Sequence, residues 1–150
     1  MASEAPIRSS IVAESTPAGL VEPCRQILSA LAEKGYSQDD IFAVHLALEE
    51  AFLNAVKHGN KMDASKKVTV AYLVDDEKVE IRLVDEGEGF NPDSVPDPRT
   101  GENLYRPEGR GLLLIHAYMH VTEHNERGNG LRMIRYKNRP ISDHPNAAMA

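Results

Sequence analysis

Two alternating runs, Val68-Thr-Val-Ala-Tyr-Leu-Val74 and Lys78-Val-Glu-Ile-Arg-Leu-Val-Asp85, flank the polar turn Asp75-Asp76-Glu77. A period of two sends every second side chain to one face, so the pair is expected as an antiparallel hairpin with an apolar face to cover. The upstream segments are amphipathic. Pro17 opens a helix expected to reach about Lys34, with Leu20, Cys24, Ile27, Leu28 and Leu31 on one stripe and Gly35 as its stop. Ser37-Gln-Asp-Asp40 then caps a second helix with acids in its first turn. That helix is expected to run to about His58 and stop at Gly59-Asn60, with Ile41, Val44, Leu48, Phe52 and Ala55 as its buried stripe.

Residues 7–13 read as a first strand, 110–118 as a short helix, and 121–124 and 131–136 as two further strands. Between these lies a polar stretch, about 91–108, broken by Pro92, Pro96, Pro98 and Pro107. A loop this long inside a compact domain is read as a functional lid. The segregation of helices from strands predicts an α+β fold, a two-layer α/β sandwich. Its sheet is expected to be mixed but mainly antiparallel, with helices on one face.

At 150 residues the chain is sized for one domain, placed at 1–137 and followed by a polar tail, 138–150, expected to be flexible. A hydrophobic share of 41% against 27% charged puts it with soluble globular proteins. The formal net charge of −6, without any Lys/Arg run, argues against nucleic acid and anionic membranes as partners. The apolar stretches are too short to span a bilayer, and Met1–Ser10 has no apolar core of a signal peptide, so a cytoplasmic location is expected. The lone Cys24 lies on the first helix's apolar stripe and reads as core rather than nucleophile.

Three polar constellations carry chemistry. On the second helix Glu50, Asn54 and His58 recur every four residues, which at about 100° per residue gives one narrow polar face roughly opposite the Leu48 stripe. Ala43 and Ala47 beside it leave room for a bulky ligand. A carboxylate and an amide one turn apart suit a general base and a ligand for hydrated Mg²⁺; a plain solvated face is the alternative. Second, Asp85-Glu-Gly-Glu-Gly-Phe90 ends a strand. Gly87 and Gly89 let a flat ring approach the backbone, and Asp85 can accept from an exocyclic amine such as that of adenine. An ordinary Asp/Gly turn is the alternative here. Third, Glu108-Gly-Arg-Gly-Leu112 runs into an apolar helix whose free N–H groups and dipole suit phosphate, with Arg110 adding charge. This is neither a P-loop nor a Rossmann fingerprint. His116, His120 and His124 have zinc-like spacing, but Val121–His124 reads as a strand, so the three do not share a face.

In this order the three elements resemble the boxes of the gyrase/histidine-kinase/MutL superfamily of ATPases. Glu50-Ala-Phe-Leu-Asn54-Ala-Val-Lys57-His58-Gly59 is similar to the asparagine box. Asp85-x-Gly87-x-Gly89-Phe90 is similar to the first glycine box and Gly109-Arg110-Gly111-Leu112 to the start of the second. Over about residues 7–137 the chain resembles, in particular, the small bacterial anti-sigma-factor serine-protein kinases, whose lid Gly89–Pro98 and Glu102-Asn-Leu also match. The resemblance implies a left-handed βαβ-type (Bergerat-type) ATP fold and ATP with Mg²⁺. It also implies γ-phosphate transfer to a serine on an anti-sigma-factor antagonist, sequestration of a sigma factor, and a homodimer. Glu50 is then the general base, Asn54 the metal ligand and Asp85 the reader of adenine. Gly109, Arg110 and Gly111 close over the phosphates, and Lys57, His58, Gly87, Gly89, Phe90 and Leu112 complete the boxes. The chain departs from the pattern at Gly128-Asn-Gly-Leu-Arg-Met133, which lacks a Thr often found near the adenine. It also has Met119-His-Val-Thr122 where acidic residues usually follow the second-box helix. A nucleotide-gated binding module without phosphotransfer is the other reading of the same boxes, one that needs no Glu50.

Overall fold

The computed structural model describes residues 5–87 and 107–141, with the backbone alone over 107–112. In chain order these form β1 (Ile7–Glu14), a 3₁₀ turn (Pro17–Leu20), α1 (Val21–Glu33), α2 (Gln38–Asn54) and a π-helical turn (Ala55–Gly59). There follow β2 (Lys67–Val74), β3 (Lys78–Asp85), α3 (Pro107–Tyr118), β4 (Val121–His124) and β5 (Gly130–Tyr136). The expected lid (apart from Pro107 and Glu108, which belong to α3), Gly89, Phe90 and all but the first few residues of the tail lie outside the described residues.

The sheet has the order β1-β2-β3-β5-β4, and all four pairings are antiparallel. The hairpin read from alternation is β2–β3, with Val70 opposite Leu83 and Tyr72 opposite Ile81; Ile81 in turn faces Met133 on β5. These residues are buried in one core with Ile27 and Leu31 of α1, Val44, Leu48 and Phe52 of α2, and Ile115 of α3. The helices therefore cover one face. On the other face Arg132 bonds Glu80 and Glu123 across three strands, which suits a surface left to water. Cys24 packs partly buried against the core and burial pushes its thiol pKa up, as a structural cysteine requires.

Local signals account for most boundaries. Ser37 Oγ accepts from the Asp40 N–H at 3.1 Å, the cap expected for α2. Gly35 takes φ +76° while the Tyr36 N–H donates back to the Leu31 carbonyl at 3.0 Å, closing α1. Pro17 opens a 3₁₀ turn rather than the α-helix itself, because that turn is pressed on the end of β1. A Cβ on Gly19 would stand 2.0 Å from the Glu14 carbonyl oxygen.

Two helix ends differ from the expectation. α2 stops at Asn54 and continues as a π turn in which the Asn60 N–H reaches the Ala55 carbonyl at 2.8 Å. α3 starts at Pro107, three residues earlier than expected, since proline lacks an N–H that the first turn would leave unpaired anyway. α3 packs along α2, and its last residue, Tyr118, meets Phe42 near the start of α2 with ring centroids 6.3 Å apart. The two helices thus run antiparallel, and the first turn of α3 lies towards the Glu50–Asn54 end of α2. A buried ion pair, Arg135 Nε to Asp40 Oδ1 at 3.0 Å, locks the opposite end, and the same guanidinium donates to the Tyr118 carbonyl at 2.7 Å.

Candidate functional site

Glu50 and Asn54 lie one turn apart on the last two turns of α2, each half-buried. Neither side chain has a hydrogen-bond partner among the described residues. Glu49, one position earlier, differs: it sits 3.9 Å from His45 Nε2, one turn back. The 100° rule carries the polar face from Glu50 to Asn54 and not beyond, because the following turn is π-wound and leaves Lys57 and His58 exposed. Ala43 and Ala47 do not leave open room for a ligand. Both are buried, 2% and 0% exposed, on the helix that α3 packs along.

The π turn delivers Gly59 against the end of β3. A Cβ on Gly59 would stand 2.1 Å from Asp85 Oδ2, and one on Gly87 would stand 1.9 Å from the Gly59 carbonyl oxygen. So the space freed by the missing Gly87 side chain is filled by protein backbone rather than held open for a ring, a correction to the sequence reading. The two glycines instead let the asparagine-box turn and the Asp85 loop interlock.

Asp85 is 9% exposed. Its Oδ1 accepts the Gly87 N–H at 2.8 Å, while Oδ2 accepts nothing among the described residues. Burial raises its pKa above the usual carboxylate value, opposed by the Gly87 bond and by the charges of Lys66 and Arg127. A buried acceptor with one open oxygen suits a neutral amine donor such as that of adenine, and a half-buried free amide suits a hydrated divalent cation.

Residues 13–135 match the histidine kinase-like ATPase domain family. The chain belongs to that family. Among its curated relatives is the serine-protein kinase RsbW of Bacillus licheniformis, 34% identical over 130 residues that cover 79% of each chain. RsbW of Bacillus subtilis is 30% identical and covers 80% of each, and RsbW of a Listeria monocytogenes strain is 32% identical over 76% of this chain and 78% of its own. The crystal structure of the RsbU and RsbW domains of a Mycobacterium tuberculosis protein superposes with a TM-score of 0.60. That match has 20% identity and covers 89% of this chain and 34% of the longer one, so it speaks for the fold.

The segment Gly109–Leu112, read from the sequence as similar to a second glycine box, lies in the first two turns of α3. With the helix starting at Pro107, the N–H of Gly109 is among those left without an intrahelical partner, whereas that of Gly111 is in reach of the Pro107 carbonyl. Of the three histidines, His116 lies on α3 and His124 on β4. His120 is buried between them; its Nδ1 accepts the Tyr136 N–H at 3.0 Å and its Nε2 faces the Pro140 carbonyl at 3.2 Å. No group of three or more His, Cys, Asp or Glu side chains that could hold a metal ion occurs among the described residues.

Sequence reasoning missed the residues that hold Asp85. The Asp85 N–H donates to the Asn129 carbonyl at 2.9 Å, and Asn129 Nδ2 donates to the Asp85 carbonyl at 3.2 Å. Asn129 stands in the stretch that lacks the family's Thr. Asn60, taken only as a helix stop, is 0% exposed and bonds Ser15, Lys67 and Glu86. Its partners are 45, 7 and 26 positions away, so no local pattern could have announced them.

Proposed function

We propose that this chain is an ATP-dependent serine-protein kinase and anti-sigma factor. It binds Mg-ATP, phosphorylates a serine on an anti-sigma-factor antagonist and sequesters a sigma factor, acting in the cytoplasm as a homodimer. The observation that carries the reading is the pair of side chains, Glu50 and Asn54, without a hydrogen-bond partner among the described residues and one turn apart on a helix whose end interlocks with the Asp85 loop. Membership of a family with serine-protein kinases among its relatives supports the same reading.

Asp85 Oδ2 accepts the adenine amine, and Asn54 Oδ1 would hold Mg²⁺, which would offset charge on the phosphates. The N–H groups opening α3 face the phosphates. Glu50 takes the proton from the substrate serine as its oxygen bonds to the γ-phosphorus and the bond to the β–γ bridging oxygen breaks, releasing ADP. Positioning and charge stabilisation supply most of the rate. No helix among the described residues is long and apolar enough to cross a membrane. Exposed Val12 and Val84 flank Thr69 on the sheet face away from the helices, a surface suited to a second copy.

The test is capture of partners from the source cell with ATP or ADP, followed by transfer of labelled γ-phosphate to whatever binds. Labelled phosphoserine on a captured partner supports the kinase. Nucleotide-dependent capture with no transfer would leave a nucleotide-gated binding module instead.

A further inference from the structure

Asn60 belongs to neither glycine box, yet it is the fully buried polar side chain beside the site. Its Nδ2 donates to Ser15 Oγ and to the Lys67 carbonyl, both at 3.0 Å, and its Oδ1 accepts the Glu86 N–H at 2.8 Å. The orientation of the amide is fixed by chemistry: the Lys67 carbonyl can only accept and the Glu86 N–H can only donate. Ser15 and Lys67 adjoin the ends of β1 and β2, so one end of the amide is anchored in the sheet and the other reaches the loop after Asp85.

The bond to Glu86 has a specific consequence. The peptide unit joining Asp85 to Glu86 is held at both ends, its carbonyl by Asn129 Nδ2 and its N–H by Asn60 Oδ1. A peptide plane held at both ends resists rotation, and so restrains the turn in which the next peptide's Gly87 N–H meets Asp85 Oδ1. We propose that Asn60 is a positioning residue for recognition of the nucleotide base, aiming the open Asp85 oxygen through the Glu86 N–H. The inference rests on the reading of Asp85 as the acceptor of the adenine amine.

The two ends of Asn60 make different predictions. Ser15→Ala removes one sheet-side bond, Asn60→Ala removes everything, and Asn60→Asp keeps the acceptor for Glu86 while losing both donors. Thermal unfolding and calorimetric titration with Mg-ATP and Mg-GTP are measured for all three and for wild type. Ser15→Ala should lower Tm but leave the ATP dissociation constant within about twofold. Asn60→Ala should weaken ATP by about tenfold or more and shrink the preference for ATP over GTP by a similar factor. Asn60→Asp should keep most of the affinity and the preference, although its Tm falls as far as that of Asn60→Ala. Affinity and preference that decline in step with Tm across the three variants would overturn the inference, as would wild-type ATP binding by Asn60→Ala. If Asn60→Ala does not fold, Asn60→Asp against Ser15→Ala decides on the same criterion. A wild type without preference for ATP overturns the Asp85 reading itself, and this inference with it, before any variant is compared.

Discussion

Gly59→Ala puts a single methyl group at the junction that the site depends on. The new Cβ would lie 2.1 Å from Asp85 Oδ2 and 2.4 Å from its Cγ, more than 1 Å inside ordinary contact. Gly59 has no positive φ, so the backbone itself accepts alanine, and helix propensity alone would favour the change by up to about 1 kcal/mol. The carboxylate cannot simply swing aside, because it is buried and its Oδ1 is held by the Gly87 N–H. Overpacking of this kind costs about 1–3 kcal/mol of stability. A displaced Asp85 should also weaken Mg-ATP by about 5- to 150-fold, the equivalent of a lost buried hydrogen bond. Urea unfolding and calorimetry of Gly59→Ala, Asp85→Ala and the double variant make a cycle that isolates the contact. With the carboxylate gone, Gly59→Ala should become neutral or stabilising, giving a coupling of about 1 kcal/mol or more. Additive effects within about 0.5 kcal/mol, or wild-type ATP affinity in Gly59→Ala, would refute the interlock.

Asp85→Asn removes the buried charge and should weaken ATP by about 1–3 kcal/mol, read by calorimetry against GTP. Because burial raises the Asp85 pKa in the fold, its contribution to stability is full below the unfolded value of 3.8 and is lost as pH rises through the raised one. Ligand-free Asp85→Asn should therefore be at least as stable as wild type near pH 7, with the gap closing towards about pH 4; a gap independent of pH in thermal melts contradicts this. Glu50→Gln should keep ATP affinity and slow phosphotransfer by about 10²- to 10⁴-fold, whereas Glu49→Gln, whose carboxylate is directed to His45, should matter little. Asp40→Asn leaves Arg135 buried without its counter-charge and should cost about 3–5 kcal/mol in urea unfolding, and a loss below about 1 kcal/mol would show that the pair is not a lock.

Much of the architecture is legible in the chain because it depends on local periodicity. The alternation of Val68–Val74 and Lys78–Asp85 reappears as β2–β3, and Ser37 and Gly35 bound their helices as capping chemistry requires. The spacing of Glu50 and Asn54 likewise survives, since both lie within regular α-helix. Legibility ends where winding changes. The helix expected to reach His58 becomes π-wound after Asn54, and nothing in Ala55-Val-Lys-His-Gly59 announces it, because the turn is set by where Gly59 must meet Asp85. The burial of Ala43 and Ala47 is hidden for a similar reason: a small side chain marks close approach, but the sequence does not say whether a ligand or the protein itself approaches.

The β2–β3 hairpin, the buried stripes of α1 and α2 and the spacing of Glu50 and Asn54 are set by the chain alone, because they follow from periods of a few residues. Tertiary structure alone decided how the boxes meet. Gly59 and Gly87 give up side chains so that two backbones 28 positions apart can touch, and Asn60 and Asn129 hold the peptide that follows Asp85 from opposite sides. A hydrogen bond spanning 26 or 44 positions leaves no periodic trace, because the entropy of closing such a loop is met by the whole fold rather than by neighbouring residues.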